Sequence, residues 1–139
     1  MIQATKQLNT ANWPPKYDLF GVGVSATNYD EAVDATIAAA QRRESAVVSL
    51  HAVHAVVTAS GESDLREQVN TFQMVAPDGQ PVRWALNRLY RTGLRDRVYG
   101  PEFMLRLCAQ AAADGVSIYL YGGSPDVVET LKNNLLQKF

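Results

Sequence analysis

The feature that most constrains this chain is its alternation of short apolar runs with longer amphipathic stretches. Runs at 18–27, 46–50, 71–76 and 116–121 mix β-favouring and small residues over strand lengths. Between them the apolar residues recur at helical spacing. Asn28 is placed to cap a helix in which Ala32, Val33, Ile37 and Ala40 share a face, with Asp30 and Glu31 in its first turn and Arg42 and Arg43 in its last. Further helices are expected over 52–60, from Ser63 to Asn70, from near Pro81 to Gly93, from Gly100 and Pro101 to Gly115, and after Pro125. Strands that alternate with helices in this way predict an α/β fold, a mostly parallel sheet with helices on both faces. Ligand sites in such sheets lie outside the carboxyl ends of the strands.

A length of 139 residues suits one domain, and 47% hydrophobic with 19% charged residues is a globular balance. The formal net charge of -1 and the lack of a long basic tract argue against a nucleic-acid partner. Cys108 is the single cysteine, so no intramolecular disulfide can form, and its apolar helical setting suits a packed thiol in a reducing compartment. Residues 1–17 read as a polar N-terminal extension, neither signal peptide nor anchor, and no run approaches the ~20 apolar residues of a membrane span. The chain stops at Leu136–Phe139 with no closing strand, so the domain over 18–139 is expected to be incomplete at its C-terminus.

Three strand ends carry residues capable of chemistry: Ser49, His51 and His54; Asp78 and Gln80; Gly122, Gly123 and Ser124. Asp78, within Pro77-Asp78-Gly79-Gln80-Pro81, is both an ordinary turn-former or helix cap and a carboxylate suited to take a proton from a hydroxyl nucleophile. Gly122 and Gly123 permit a close backbone approach before a helix N-terminus, which suits a phosphate, although a strand-to-helix turn needs glycine for geometry alone. Gly21-x-Gly23-x-x-Ala26 matches a dinucleotide fingerprint formally, but its glycines fall within the strand pattern and no ribose-binding acid follows. His51 and His54 lack the companions of a metal site. Arg88, Arg91, Arg95 and Arg97 follow in the next segment; Arg97, between Asp96 and the apolar Val98, is the one suited to a fixed bidentate grip on phosphate.

Four segments in order resemble the WecG/TagA/CpsF glycosyltransferases. Residues 78–86, DGQPVRWAL, are similar to the family's DGxPVVWA stretch, and 96–104, DRVYGPEFM, to its RVxGxDLM stretch. Residues 119–125, YLYGGSP, match its strand and double glycine, and 47–54, VVSLHAVH, the region that carries TxN in many members. Two positions depart: Glu102 stands for the usual aspartate, and Ser49 and His51 stand for the threonine and asparagine.

The resemblance implies a Rossmann-like domain that continues past Phe139. It implies an inverting, metal-independent transfer, without cofactor, of an N-acetylmannosamine-type or related sugar from a UDP-sugar. The acceptor would be a polyprenyl-diphosphate-linked sugar at the cytoplasmic face of the membrane, in surface polysaccharide or teichoic acid synthesis. Asp78 falls at the position of the proposed base and Arg97 at that of an arginine facing the diphosphate. Ser49, His51, Gln80, Gly122 and Gly123 are the expected substrate contacts. Peripheral membrane contact and self-association are expected partners of that reading. The alternatives are a non-catalytic nucleotide-sugar-binding fragment and an NAD(P)-binding oxidoreductase that rests on Gly21 and Gly23.

Overall fold

The structure is a computed structural model that describes residues 12–139. Most of the expected N-terminal extension, residues 1–11, lies outside the described residues. The first element corrects the single strand expected over 18–27. Strand β1 (Lys16–Leu19) turns at Phe20 and Gly21 and returns as β2 (Val22–Ser25), an antiparallel hairpin with Leu19 opposite Val22. The turn places Phe20 at φ 57 and Gly21 at φ 86. Glycine adopts that region freely, whereas an aromatic residue there is strained by about 1–2 kcal/mol.

Helix α1 (Tyr29–Gln41) begins where the sequence says it should, with Asn28 Oδ1 accepting from Glu31 N–H at 3.0 Å. It ends earlier than expected. Arg42 is the C-cap and Arg43 stands beyond it at φ 55, so neither lies in the last turn. Strand β3 (Val48–His51), helices α2 (Val53–Gly61) and α3 (Ser63–Asn70), and strand β4 (Met74–Pro77) follow. β4 starts three residues after the expected Thr71, because Thr71 and Phe72 N–H groups close the end of α3 on Gln68 and Val69 carbonyls. β3 and β4 pair in parallel, Val48 with Met74 through His51 with Pro77.

The sheet is therefore smaller than expected. The fold is α/β, but its strands form one antiparallel and one parallel pair rather than a continuous mostly parallel sheet. β2 lies beside β4 without a ladder, and the Ser25 hydroxyl accepts from Val75 N–H at 3.1 Å in place of a backbone carbonyl. β4 is nonetheless buried along its whole length. Val75 enters a cluster with Leu19, Val22, Val24, Val56, Val69, Val82 and Leu86, from the hairpin and helices α2, α3 and α4 (Gln80–Tyr90). Met74 and Ala76 point the other way, to α1 and to Phe103 and Ala111 of helix α5 (Gly100–Asp114). Helices on two faces of one buried strand reproduce the layered arrangement in miniature.

Two later expectations also change. α4 closes at Tyr90 with Arg91 at φ 54 as its left-handed cap, ahead of Gly93. Residues 116–121 were expected as a buried strand, yet among the described residues they pair with none. Tyr119 and Tyr121 are almost wholly exposed. Val116 packs at the edge of the second cluster, and Ile118 and Leu120 line an apolar cleft of about 270 Å³ between α5 and helix α6 (Pro125–Lys138). α6 itself has no buried residue.

Candidate active site

Asp78 follows the last residue of β4 and is held from three sides. Its N–H donates to the His51 carbonyl at 3.1 Å, which ties the ends of β3 and β4 together. Val98 N–H donates to the Pro77 carbonyl at 2.9 Å, laying the segment before α5 against the same strand end. Gly100 N–H then donates to Asp78 Oδ2 at 3.3 Å. The carboxylate thus rests at the start of α5, where unpaired N–H groups favour negative charge. α4 takes Gly79 as its N-cap with no side-chain bond, so Asp78 is not the cap of the helix it precedes. Asp78 Oδ1 has no hydrogen-bond partner among the described residues. A half-buried carboxylate with one oxygen fixed and one open is a geometry that can receive a proton.

A second set of bonds fixes the loop that carries Arg97. Gln80, at the first residue of α4, donates from Nε2 to Asp96 Oδ1 at 3.2 Å and accepts from Arg83 Nε at 2.7 Å. Asp96 Oδ1 also accepts from Arg97 N–H at 2.7 Å. The Arg97 guanidinium lies over the Tyr99 ring, 4.8 Å from its centre, and forms no ion pair among the described residues. Tyr99 N–H donates to the Tyr29 hydroxyl at 3.0 Å, which ties the start of α1 to the start of α5. Gln80 therefore serves first as a brace for the Asp96–Arg97 turn.

On β3, Ser49 and His51 share the face of the sheet opposite Val48 and Leu50, which pack on the α1–α5 side. Ser49 is half-buried. His51 is buried, and its Nδ1 has no partner in the structure. Burial, and then the nearby His54, push the His51 imidazole below its ordinary pKa, so it is held neutral. No group of three or more His, Cys, Asp or Glu side chains among the described residues is arranged to hold a metal ion. Burial pushes the Cys108 thiol up, as suits an inert packed cysteine.

The structure thus brings Asp78, His51, Gln80 and Arg97 to one edge, with Ser49 two residues inside it. Gly122 and Gly123 lie at φ 109 and 74 in the turn before α6, and the atoms nearest a side chain built at Gly123 belong to Val127 and Val128 of that helix. Gly21 and Gly23 are not a cofactor loop. Gly23 N–H donates to Asn70 Oδ1 and Asn70 Nδ2 donates to the Gly21 carbonyl, both at 2.8 Å, so the hairpin spends these groups on α3. That removes the observation on which the NAD(P) reading stood.

Two positioning residues were not singled out in the sequence, Gly100 and Asp96. The signal for Asp96 was its place beside Arg97; the signal for Gly100 was only its place at a helix start. Close to them a cleft of about 720 Å³ opens between the N-terminus of α1 and the loop after α4, lined by Asn28, Asp30, Glu31, Thr92, Arg95 and Asp96 among others. Its three carboxylates suit the hydroxyls of an uncharged ligand rather than a phosphate. The family model described as "Glycosyl transferase WecG/TagA/CpsF family" matches residues 17–139 of this chain.

Proposed function

The chain belongs to the WecG/TagA/CpsF family of glycosyltransferases, and from that footing we propose a metal-independent, inverting transfer with Asp78 as base. The donor is a UDP-sugar of the N-acetylmannosamine type or a relative. The acceptor is a polyprenyl-diphosphate-linked sugar, met by peripheral contact at the cytoplasmic membrane face during surface polysaccharide or teichoic acid synthesis. The observation that carries the reading is the carboxylate of Asp78, fixed through Oδ2 at the start of α5 and open at Oδ1.

In this scheme Asp78 takes the proton of the acceptor hydroxyl as its oxygen bonds the anomeric carbon from the side opposite the leaving group. The bond from that carbon to the UDP oxygen breaks, and its electron pair leaves on the diphosphate. Arg97, braced by Asp96 and Gln80, meets the charge that develops there, an electrostatic role that needs a fixed cation. Ser49 and the neutral His51 offer hydrogen bonds to sugar hydroxyls from the neighbouring strand end. Gly122 and Gly123 enter this reading only through the resemblance of residues 119–125 to the family's double-glycine segment.

The test is a pair of variants read for donor binding and for transfer. Asp78→Asn should lower transfer by about 10²–10⁴-fold and leave UDP affinity, measured by calorimetry, unchanged. Arg97→Ala should weaken UDP binding by about tenfold or more. Transfer at the parental rate in Asp78→Asn would remove the base from this scheme. Saturable UDP binding by the parental chain without any turnover would favour the nucleotide-sugar-binding alternative.

A further inference from the structure

We propose that the outward face of α4, together with the tip of the β1–β2 hairpin, is the surface on which this protein settles against an anionic lipid bilayer. Residues 80–95 hold four arginines and no acid, in a chain whose net charge is -1. Arg83 is consumed internally, donating to the Leu94 and Arg95 carbonyls at 2.9 and 3.0 Å. Arg88 and Arg91 are exposed, with no side-chain hydrogen bond or ion pair among the described residues. They follow Trp84 at four and seven positions, so the three form one stripe along the helix. Trp84, at the head of the stripe, is 57% exposed. An indole flanked by arginines suits the boundary of a bilayer, where the ring enters the headgroup layer and guanidinium groups stay with phosphate.

The β1–β2 hairpin is fixed beside this helix. Tyr90, at the end of α4, donates from its hydroxyl to the Asp18 carbonyl at 2.6 Å and lies against the Tyr17 ring at 4.9 Å. The tip is thereby tied to the arginine-bearing end of the helix. At it stands Phe20, 75% exposed and at φ 57. An aromatic residue at that backbone angle is unfavourable, and in water its exposure adds nothing to offset the strain. Insertion into a lipid surface would supply the offset. Residues 115–139 expose as much apolar surface, through Tyr119, Tyr121 and Leu136. Their charges cancel, Asp126 and Glu129 against Lys132 and Lys138, so they have no attraction to an anionic surface.

The purpose of this contact rests on the lipid-linked acceptor of the proposed function, but its test needs neither donor nor turnover, so the two readings fail separately. The full chain is sedimented with phosphatidylcholine vesicles, with and without phosphatidylglycerol. Binding that requires phosphatidylglycerol and weakens with added salt is expected. Arg88→Gln combined with Arg91→Asn, the asparagine chosen to tolerate the left-handed cap, should weaken it by about tenfold or more. In Trp13→Phe, where Trp84 is the remaining indole, emission should shift to the blue on adding those vesicles. Phe20→Gly should raise the thermal midpoint of the free protein while lowering vesicle affinity, a pair of opposite changes that loss of structure could not produce. No binding to either vesicle, equal binding to both, or an unmoved Trp84 emission would overturn the proposal. So would binding that survives the double arginine variant and is lost in Leu136→Ser, which would place the contact on α6.

Discussion

Residues 16–114 and residues 115–139 obey the same local rules and reach different ends. Both contain a β-favouring run, a glycine turn and an amphipathic helix opened by proline. In the first region Met74, Val75 and Ala76 are buried between helices on both faces, and the ladder to β3 on one side and the Ser25 hydroxyl on the other pair the backbone. In the second, 116–121 has no strand partner among the described residues, and α6 buries no side chain. A helix closes its own hydrogen bonds and forms wherever its caps allow; a strand needs a neighbour for every bond it makes. Local sequence therefore decides α6, while only tertiary company decides a strand at 116–121.

The two regions should differ most in what a leucine side chain contributes. Leu86, wholly buried among Val75, Val82 and Val24, should destabilise the fold by about 2–5 kcal/mol when replaced by alanine. Leu136, 71% exposed on α6, should shift stability by no more than about 0.5 kcal/mol on the same change. Urea unfolding of both variants reads the contrast, and equal losses would show that α6 belongs to the cooperative core. Next in size is Ser25→Ala. It removes the acceptor of the Val75 N–H at the gap between β2 and β4, so a loss of about 1–3 kcal/mol is expected. A neutral result would mean that some other group satisfies that amide.

Much of this is legible in the amino-acid sequence. The Asn28 cap, the helices after it, the paired runs at 46–50 and 71–76 and the position of Asp78 at a strand end all follow from periodicity and turn chemistry. The hairpin was not legible because its turn is made by Phe20 and Gly21, and the backbone angle of Phe20 is one that sequence rules assign to glycine or asparagine. The strand expected at 116–121 fails for the opposite reason: its composition is right for a strand, and composition carries no information about a partner. Within the site, the residue types of Asp78, His51 and Arg97 were readable. What fixes Asp78 and braces the Asp96–Arg97 turn was not, since the Gly100 N–H reaches Asp78, and Gln80 reaches Asp96, from a different segment of the chain.

The packed region carries a polar flaw at His51, and pH exposes it. Burial, then the charge of His54, depresses the folded imidazole below its unfolded value of about 6.5. The unfolded chain then binds the proton more readily, so this contribution to stability is full above about pH 6.5 and lost as the pH falls through the folded value. His51→Asn should flatten that part of the dependence when unfolding free energies are compared at about pH 7.5 and about pH 5.5, carboxylate contributions being common to both proteins. A parallel slope in the variant would mean that His51 is not held neutral.

Proline separates the two regions by whether a backbone N–H is in use. Proline at a position whose N–H serves a ladder or a helix is severe: Ile37→Pro, within α1, should cost about 3 kcal/mol or more. Tyr119 is 87% exposed in a segment with no ladder among the described residues, so proline there interrupts neither a ladder nor a helix. Tyr119→Pro should therefore leave the unfolding free energy within about 0.5 kcal/mol of the parent. A loss of proline-in-helix size would mean that residues 116–121 donate to a partner strand after all, and the open edge of β3 would be the place to look for it.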